Sequence, residues 1–233
     1  MKIAIFGDSF GDDQVNWKDK NRWLDVGPSW IDYLRQFHEV DNFCHGGSSL
    51  YFSKRKFDKT DLSVYDKVIF LITNAERRFQ IWPGDTDEYG SNWNFMTANT
   101  VLHNNTDPAM TPYFTAMDMF FKYIYNESDD HFHQLMVDDI TRKCPTGFII
   151  DAGFNSALGK INKSERVYFG GQTYQEIFSK GFLDARKCHM SEENNLILGK
   201  YIHYCLINKI HPTFNERMFT TPTRPFEHYF RKS

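Results

Sequence analysis

The sequence predicts an α/β fold: a three-layer α/β/α sandwich around a central, mainly parallel sheet of about five strands, with an inserted lid region. Three observations lead there. Short apolar runs rich in β-branched residues, at 3–6 (IAIF) and 67–73 (KVIFLIT), are bounded by polar residues or glycine, as strands buried on both faces are. Segments of helical periodicity alternate with these runs, and such alternation implies a parallel sheet with helices on both faces. The chain has 233 residues, 41% of them hydrophobic, which suits one such domain with decorations.

Taken in order, MKIAIF is a first strand that stops at Gly7. After a polar loop, Pro28 and Ser29 open a helix, with Ser29 as N-cap and Trp30, Tyr33, Leu34 and Phe37 spaced as its apolar face. A short strand is expected near 39–42, followed by a glycine turn at Gly46 and Gly47. KVIFLIT at 67–73 is the strongest strand of the chain. From Asn74 to about Thr111 the chain turns polar and aromatic, and uninterrupted loops of that length commonly serve as lids or binding loops. Helix is expected from 112 to about 143, with Met117, Phe120, Phe121 and Ile124 on one face, and a further strand at 148–150. The stretch 156–180 has no decisive pattern. In the last helix Ser191 is the expected cap, Glu192 and Glu193 load the first turn with favourable negative charge, and Leu198, Ile202, Cys205 and Leu206 form a buried stripe. The domain is read as 1–210 with its insertion at about 76–111. Residues 211–233, a basic tail with three prolines, form a C-terminal extension.

Composition narrows the function classes. Net charge is −3, from 27 basic and 30 acidic residues that are intermixed, so no nucleic-acid surface is expected. No run approaches the roughly 20 apolar residues of a membrane span, and the opening apolar run is too short for a signal peptide. The expected location is cytoplasmic, and Cys44, Cys144, Cys188 and Cys205, which include no CxxC pair, are read as reduced thiols. His131 and His133 stand two apart beside Asp129 and Asp130, a pattern read as a solvated charged loop rather than a metal site. No metal or cofactor is expected.

Ligands in such folds bind beyond the carboxyl ends of the strands. Four segments at or near such turns carry reactive chemistry. Gly7-Asp8-Ser9-Phe10 follows the first strand, where a serine can present its hydroxyl; taken alone, Ser9 is a helix N-cap. The run from Asn42 to Ser49 contains Gly46-Gly47, whose exposed backbone N–H groups suit an oxyanion; taken alone, it is an ordinary glycine turn. Asn74 ends the strongest strand and offers a side-chain amide donor, or else a local turn bond. His189 sits just before the last helix, whose positive end disfavours imidazolium and leaves the neutral base that a nucleophile requires; taken alone, it is a structural histidine.

Together and in this order, the four blocks resemble the SGNH (GDSL-like) hydrolases, whose fold is flavodoxin-like. GDSF supplies Ser9, NFCHGGSS sets Gly47 five residues after Asn42, FLITN supplies Asn74, and CHMSEEN supplies His189. The resemblance frames about 2–75 and 181–207 and says little of 76–165 or the tail. It implies Ser9 as nucleophile, His189 as general base, and an oxyanion hole of the Ser9 and Gly47 N–H groups with the Asn74 amide. Two departures stand out. The family's Asp three residues before the His is replaced by Arg186, so either Asp184 or a backbone carbonyl orients the imidazole, with Asp184 preferred. The family's Gly-x-Asn-Asp becomes Ile72-Thr73-Asn74-Ala75.

The resemblance implies an esterase or carbohydrate deacetylase whose partner is a small acyl ester or an acetylated glycan. Trp82, Tyr89 and Trp93 in the insertion are candidates to stack on sugar rings, or else they pack the lid's own core. The compact sequence with its divergent final block has the look of a bacteriophage-encoded protein, for which virion association is the corresponding location. The competing class is a non-catalytic binding or assembly protein on the same scaffold, motivated by Arg186 and the aromatic content of 17%.

Overall fold

Every strand of the sheet runs parallel to its neighbours, in the order β2-β1-β3-β4. The computed structural model describes residues 1–8, 11, 28–45, 48–72, 115–116, 119, 123, 127–151 and 192–212. The strands are β1 (Lys2–Phe6), β2 (Glu39–Asn42), β3 (Lys67–Ile72) and β4 (Phe148–Asp151). Four strands are present among the described residues, against the expected five or so. The helices are α1 (Trp30–Arg35), α2 (Leu50–Lys59), α3 (Glu127–Lys143) and α4 (Glu192–Asn208), with a 3₁₀ turn at Leu62–Val64.

Strand alternation divides the core into two. On one face Ile3, Ile5, Ile69, Leu71 and Ile150 pack beneath Trp30 and Leu34 of α1 and Leu198 and Ile202 of α4. On the other, Ala4, Phe6, Val68, Phe70 and Ile149 pack against Leu50 and Phe57 of α2 and Val137 and Ile140 of α3. Each Val, Leu, Ile or Phe side chain sealed this way stabilises the fold by about 1.5–3 kcal/mol relative to exposure. Burial on both faces is why β1 and β3 read as continuous apolar runs.

The cap of α1 is as the sequence implies. Ser29 accepts from the Asp32 N–H at 3.2 Å, and the Asp32 carboxylate takes the Ser29 N–H at 2.9 Å, a complete capping box on α1. The α1 stripe differs from the expected one: Trp30, Ile31 and Leu34 are buried, whereas Phe37 is half exposed because the helix ends at Arg35. In α4 the expected Leu198, Ile202, Cys205 and Leu206 are all buried. The expected helix from 112 is described over its C-terminal part, and its proposed apolar face (Met117, Phe120, Phe121, Ile124) lies outside the described residues, as does the Ser191 cap.

α1 and α4 lie side by side and run the same way. Asn195, in the first turn of α4, accepts from the Trp30 N–H at 3.2 Å, while His203, about two turns later, meets His38 just beyond the end of α1 at 2.9 Å. The two helices approach closely at Gly199, where a Cβ would stand 2.9 Å from the Tyr33 Cβ. Because α1 leads back to the start of β2, its first turn lies toward the carboxyl edge of the sheet, and so does the first turn of α4.

Candidate active site

The strand order changes direction at β1. The chain passes from β1 to β2 on one side, then crosses to β3 on the other. The carboxyl ends of β1 and β3 therefore flank a switch point, the place where open α/β sheets bind ligands. The ends are level, with Phe6 paired to Phe70 and Ile5 paired to both Ile69 and Asn42.

Leaving β1, the chain meets Gly7 at φ +156°, where a Cβ would stand 2.6 Å from the Cβ of Leu71 on β3. No side chain fits there without moving β3, so glycine is required by contact. The Gly7 carbonyl accepts from the His45 N–H at 3.2 Å, the Ser48 hydroxyl at 3.1 Å and the Ser53 hydroxyl at 3.0 Å. The two hydroxyls are themselves 3.3 Å apart, and both serines are buried. Next, Asp8 is buried, and its carbonyl accepts from the Gly11 N–H at 3.0 Å. Asn42, the last residue of β2, donates through Nδ2 to the Gly11 carbonyl at 2.7 Å and accepts from the Cys44 N–H at 3.0 Å. Gly11 has Cys44 and Leu71 where a side chain would be. The segment after β1 is thus held from β2 by Asn42 and His45, from α2 by Ser53, and from β3 by Leu71.

Past β2, the Ser48 N–H donates to the His45 carbonyl at 3.1 Å, which joins the residues on either side of Gly46 and Gly47. Ser49 then caps α2 by accepting from the Phe52 N–H at 3.3 Å. β3 ends at Ile72. Glu192 begins α4, and Asn194 and Asn195 are buried in its first turn.

The residues singled out in the sequence, Ser9, Gly47, Asn74, Asp184 and His189, lie outside the described residues, as do Trp82, Tyr89 and Trp93. What is described is the frame beside four of them: Asp8 and Gly11 around Ser9, His45 and Ser48 around Gly47, Ile72 before Asn74, and Glu192 after His189. Sequence reading misses the roles of Ser48 and Ser53, and uses Asn42 only as a spacing mark. Ser53 does carry a signal, since it lies one position from Phe52 and four from Phe57 on the buried side of α2.

His131 and His133 fall on α3, in a helix rather than the expected loop, with His131 exposed and His133 buried. Two apart on a helix, they do not converge. Among the described residues no group of three or more His, Cys, Asp or Glu side chains is placed to hold a metal ion. No described helix is long and apolar enough to cross a membrane.

No family model matches the chain, and no curated protein matches it. Solved structures similar to it include a G-D-S-L family protein from Desulfitobacterium hafniense DCB-2, 13% identical, covering 87% of this chain and 98% of that one at a TM-score of 0.40. A lipase/acylhydrolase from Enterococcus faecalis is 15% identical over 91% of this chain and 98% of its own, at a TM-score of 0.38. A single-substitution form of an acetyl xylan esterase from Geobacillus stearothermophilus is 12% identical over 91% and 96%, at a TM-score of 0.35. At such identities and scores the likeness carries nothing about the activity of this chain.

Proposed function

We propose that the chain is a serine ester hydrolase acting on small acyl esters, acetyl above all, with carbohydrate as the favoured alcohol. One observation carries the reading: the described residues beside Ser9, Gly47, Asn74 and His189 all belong to the carboxyl edge of the sheet. Asp8 and His45 follow two of three adjacent parallel strands, Ile72 ends the third, and Glu192 begins a helix whose first turn is bonded to the first turn of α1. Four sequence blocks, consecutive ones up to 115 residues apart (Asn74 to His189), thus have flanks at one edge.

In the proposed mechanism His189 takes the Ser9 proton as the serine oxygen bonds to the ester carbonyl carbon. The backbone N–H groups of Ser9 and Gly47 and the Asn74 amide stabilise the tetrahedral oxyanion. Collapse breaks the C–O bond to the alcohol, which leaves with the proton from His189. Water then attacks the acyl-enzyme, giving its proton to His189, and the acid departs as Ser9 is reprotonated. Asp184 orients the imidazole in this scheme.

The test is turnover of p-nitrophenyl acetate and butyrate beside fluorophosphonate labelling read by intact mass. Wild type is expected to label and to turn over acetate, Ser9→Ala to do neither, and His189→Ala to lose roughly 10⁴–10⁶-fold in kcat. Asn74→Ala is expected to lose about 10²–10³-fold. Unchanged turnover in Asp184→Ala would transfer the orienting role to a backbone carbonyl. Arg186, in place of the family's usual Asp, favours a second reading as a non-catalytic binding or assembly protein. Folded wild type that neither labels nor exceeds its variants would make that second reading the better one.

A further inference from the structure

Satisfying a buried carbonyl takes one donor, and the Gly7 carbonyl has three. The His45 N–H at 3.2 Å already continues the β1–β2 ladder past the strand ends. The hydroxyls of Ser48 and Ser53, at 3.1 and 3.0 Å, exceed what burial demands. Each is itself 1% exposed, and their mutual distance of 3.3 Å makes them one small network with the carbonyl. β3 packs directly against Gly7, where a Cβ would stand 2.6 Å from the Leu71 Cβ.

Ser48 directly follows Gly47, and Gly7 stands two residues before Ser9. The Ser48–Gly7 bond therefore bridges the two segments that carry the two backbone donors of the proposed oxyanion hole. Ser53 ties the same carbonyl to α2, the helix that Ser49 caps directly after Ser48. We infer that Ser48 and Ser53 are positioning residues that act through the Gly7 carbonyl to set the separation between the Ser9 and Gly47 segments. The inference rests on the serine-hydrolase reading. Neither serine touches the ester; both determine how well the N–H groups meet the oxyanion. Misplacement of reacting groups by about 1 Å costs on the order of 10²-fold in rate, whereas ground-state binding of a small ester is little affected. The signature is thus a fall in kcat with KM held.

The experiment compares wild type, Ser48→Ala, Ser53→Ala, the double variant and Ser53→Cys, which preserves side-chain size while weakening the donor. Acetate-ester kcat and KM, the rate of fluorophosphonate labelling and the unfolding midpoint are read for each. Each alanine variant is expected to lose roughly 10-fold in kcat and the double variant roughly 10²-fold, with KM within about twofold and labelling slowed in parallel. Ser53→Cys, which leaves the buried volume filled, is expected to lose about 5-fold in kcat without a comparable fall in midpoint. A labelled wild type with folded variants whose kcat is unchanged overturns the positioning role alone. A rise in KM at constant kcat overturns it equally. If the double variant does not fold, unchanged kcat in Ser53→Cys overturns the role by itself. A wild type that neither labels nor turns over ester overturns both this inference and the hydrolase reading.

Discussion

At the scale of single residues, His38 shows how the fold handles a titrating group away from the proposed site. Its Nε2 lies 2.9 Å from the Nδ1 of His203, and its Nδ1 is buried with no hydrogen-bond partner among the described residues. Burial, and secondarily the charge that His203 would carry, lower the affinity of His38 for a proton below the usual value of 6.5. The sign follows directly. The folded chain favours the neutral ring, so the unfolded chain binds the proton first as pH falls, and stability is lost below 6.5. Urea midpoints measured from pH ~7 to ~5.5 are expected to fall in wild type and to fall less in His38→Gln. Asn42 has a further lesson at this scale. Its type and spacing are visible in the sequence, but its two bonds, to the Gly11 carbonyl and the Cys44 N–H, are not, because both partners are backbone groups.

Among the elements, Gly199 sets the approach of α1 and α4. Replacing a helical glycine by alanine ordinarily stabilises a helix by up to about 1 kcal/mol. Gly199→Ala is expected to do the reverse, costing ~1–3 kcal/mol in urea unfolding, because its Cβ would meet Tyr33 Cβ at 2.9 Å and the Trp30 carbonyl at 3.1 Å. α2 and α3 are joined differently, by charge. Asp139 accepts from Lys54 at 2.7 Å and Lys143 at 2.9 Å, while Asp58 accepts from the same two lysines at 2.5 and 2.7 Å. Lys54 first, then Lys143, hold the Asp139 carboxyl well below the usual carboxylate range. Its contribution is present above the ordinary value of 3.8 and is lost as pH falls through that region and below. Asp139→Asn is expected to cost about 1 kcal/mol at low salt and less in ~1 M salt, measured by urea unfolding at both.

The same elements explain what the sequence discloses. β1 and β3 are legible because residues sealed on both faces must be apolar throughout, and α4 because Leu198, Ile202, Cys205 and Leu206 keep an apolar stripe beyond its first turn. α2 is not legible. Its buried side includes Ser53, a polar residue whose burial makes sense only once the Gly7 carbonyl is known to face it, and its surface is rich in Lys and Arg. Phe37 reads as part of the α1 stripe because nothing in the periodicity marks Arg35 as the last helical residue. For the candidate site, residue types and order are legible, whereas the frame around Gly7 is not, since it is built from contacts between segments far apart in sequence.

For the whole molecule, the two-sided core makes the cysteines reporters of global opening. Cys44, Cys144 and Cys205 are reduced thiols at 1%, 8% and 0% exposure, and burial pushes the Cys144 thiol up to about 11. The thiolate is the reactive form, so native protein is expected to protect all three from a disulfide reagent. Peptide mapping after timed labelling is expected to show them modified at the rate of unfolding. Fast modification of Cys205 in folded protein would mean that α4 detaches on its own.

The strand order has a consequence for how the chain comes into being. β1 lies between β2 and β3, and its Ile3 and Ile5 face α1 and α4. The opposite face closes once α3 and β4 are made, at residue 151. The face beneath α4 stays open until residues 192–208 emerge, although it belongs to the strand of this sheet that comes first in chain order. Contacts so distant along the chain form slowly and leave apolar surface exposed while they wait. One side of this sheet can therefore close once residue 151 is made and the other only after residues 192–208, so a nascent chain halted before 192 leaves the part of Ile3, Ile5 and Leu71 that α4 covers open to the chaperones of the cell.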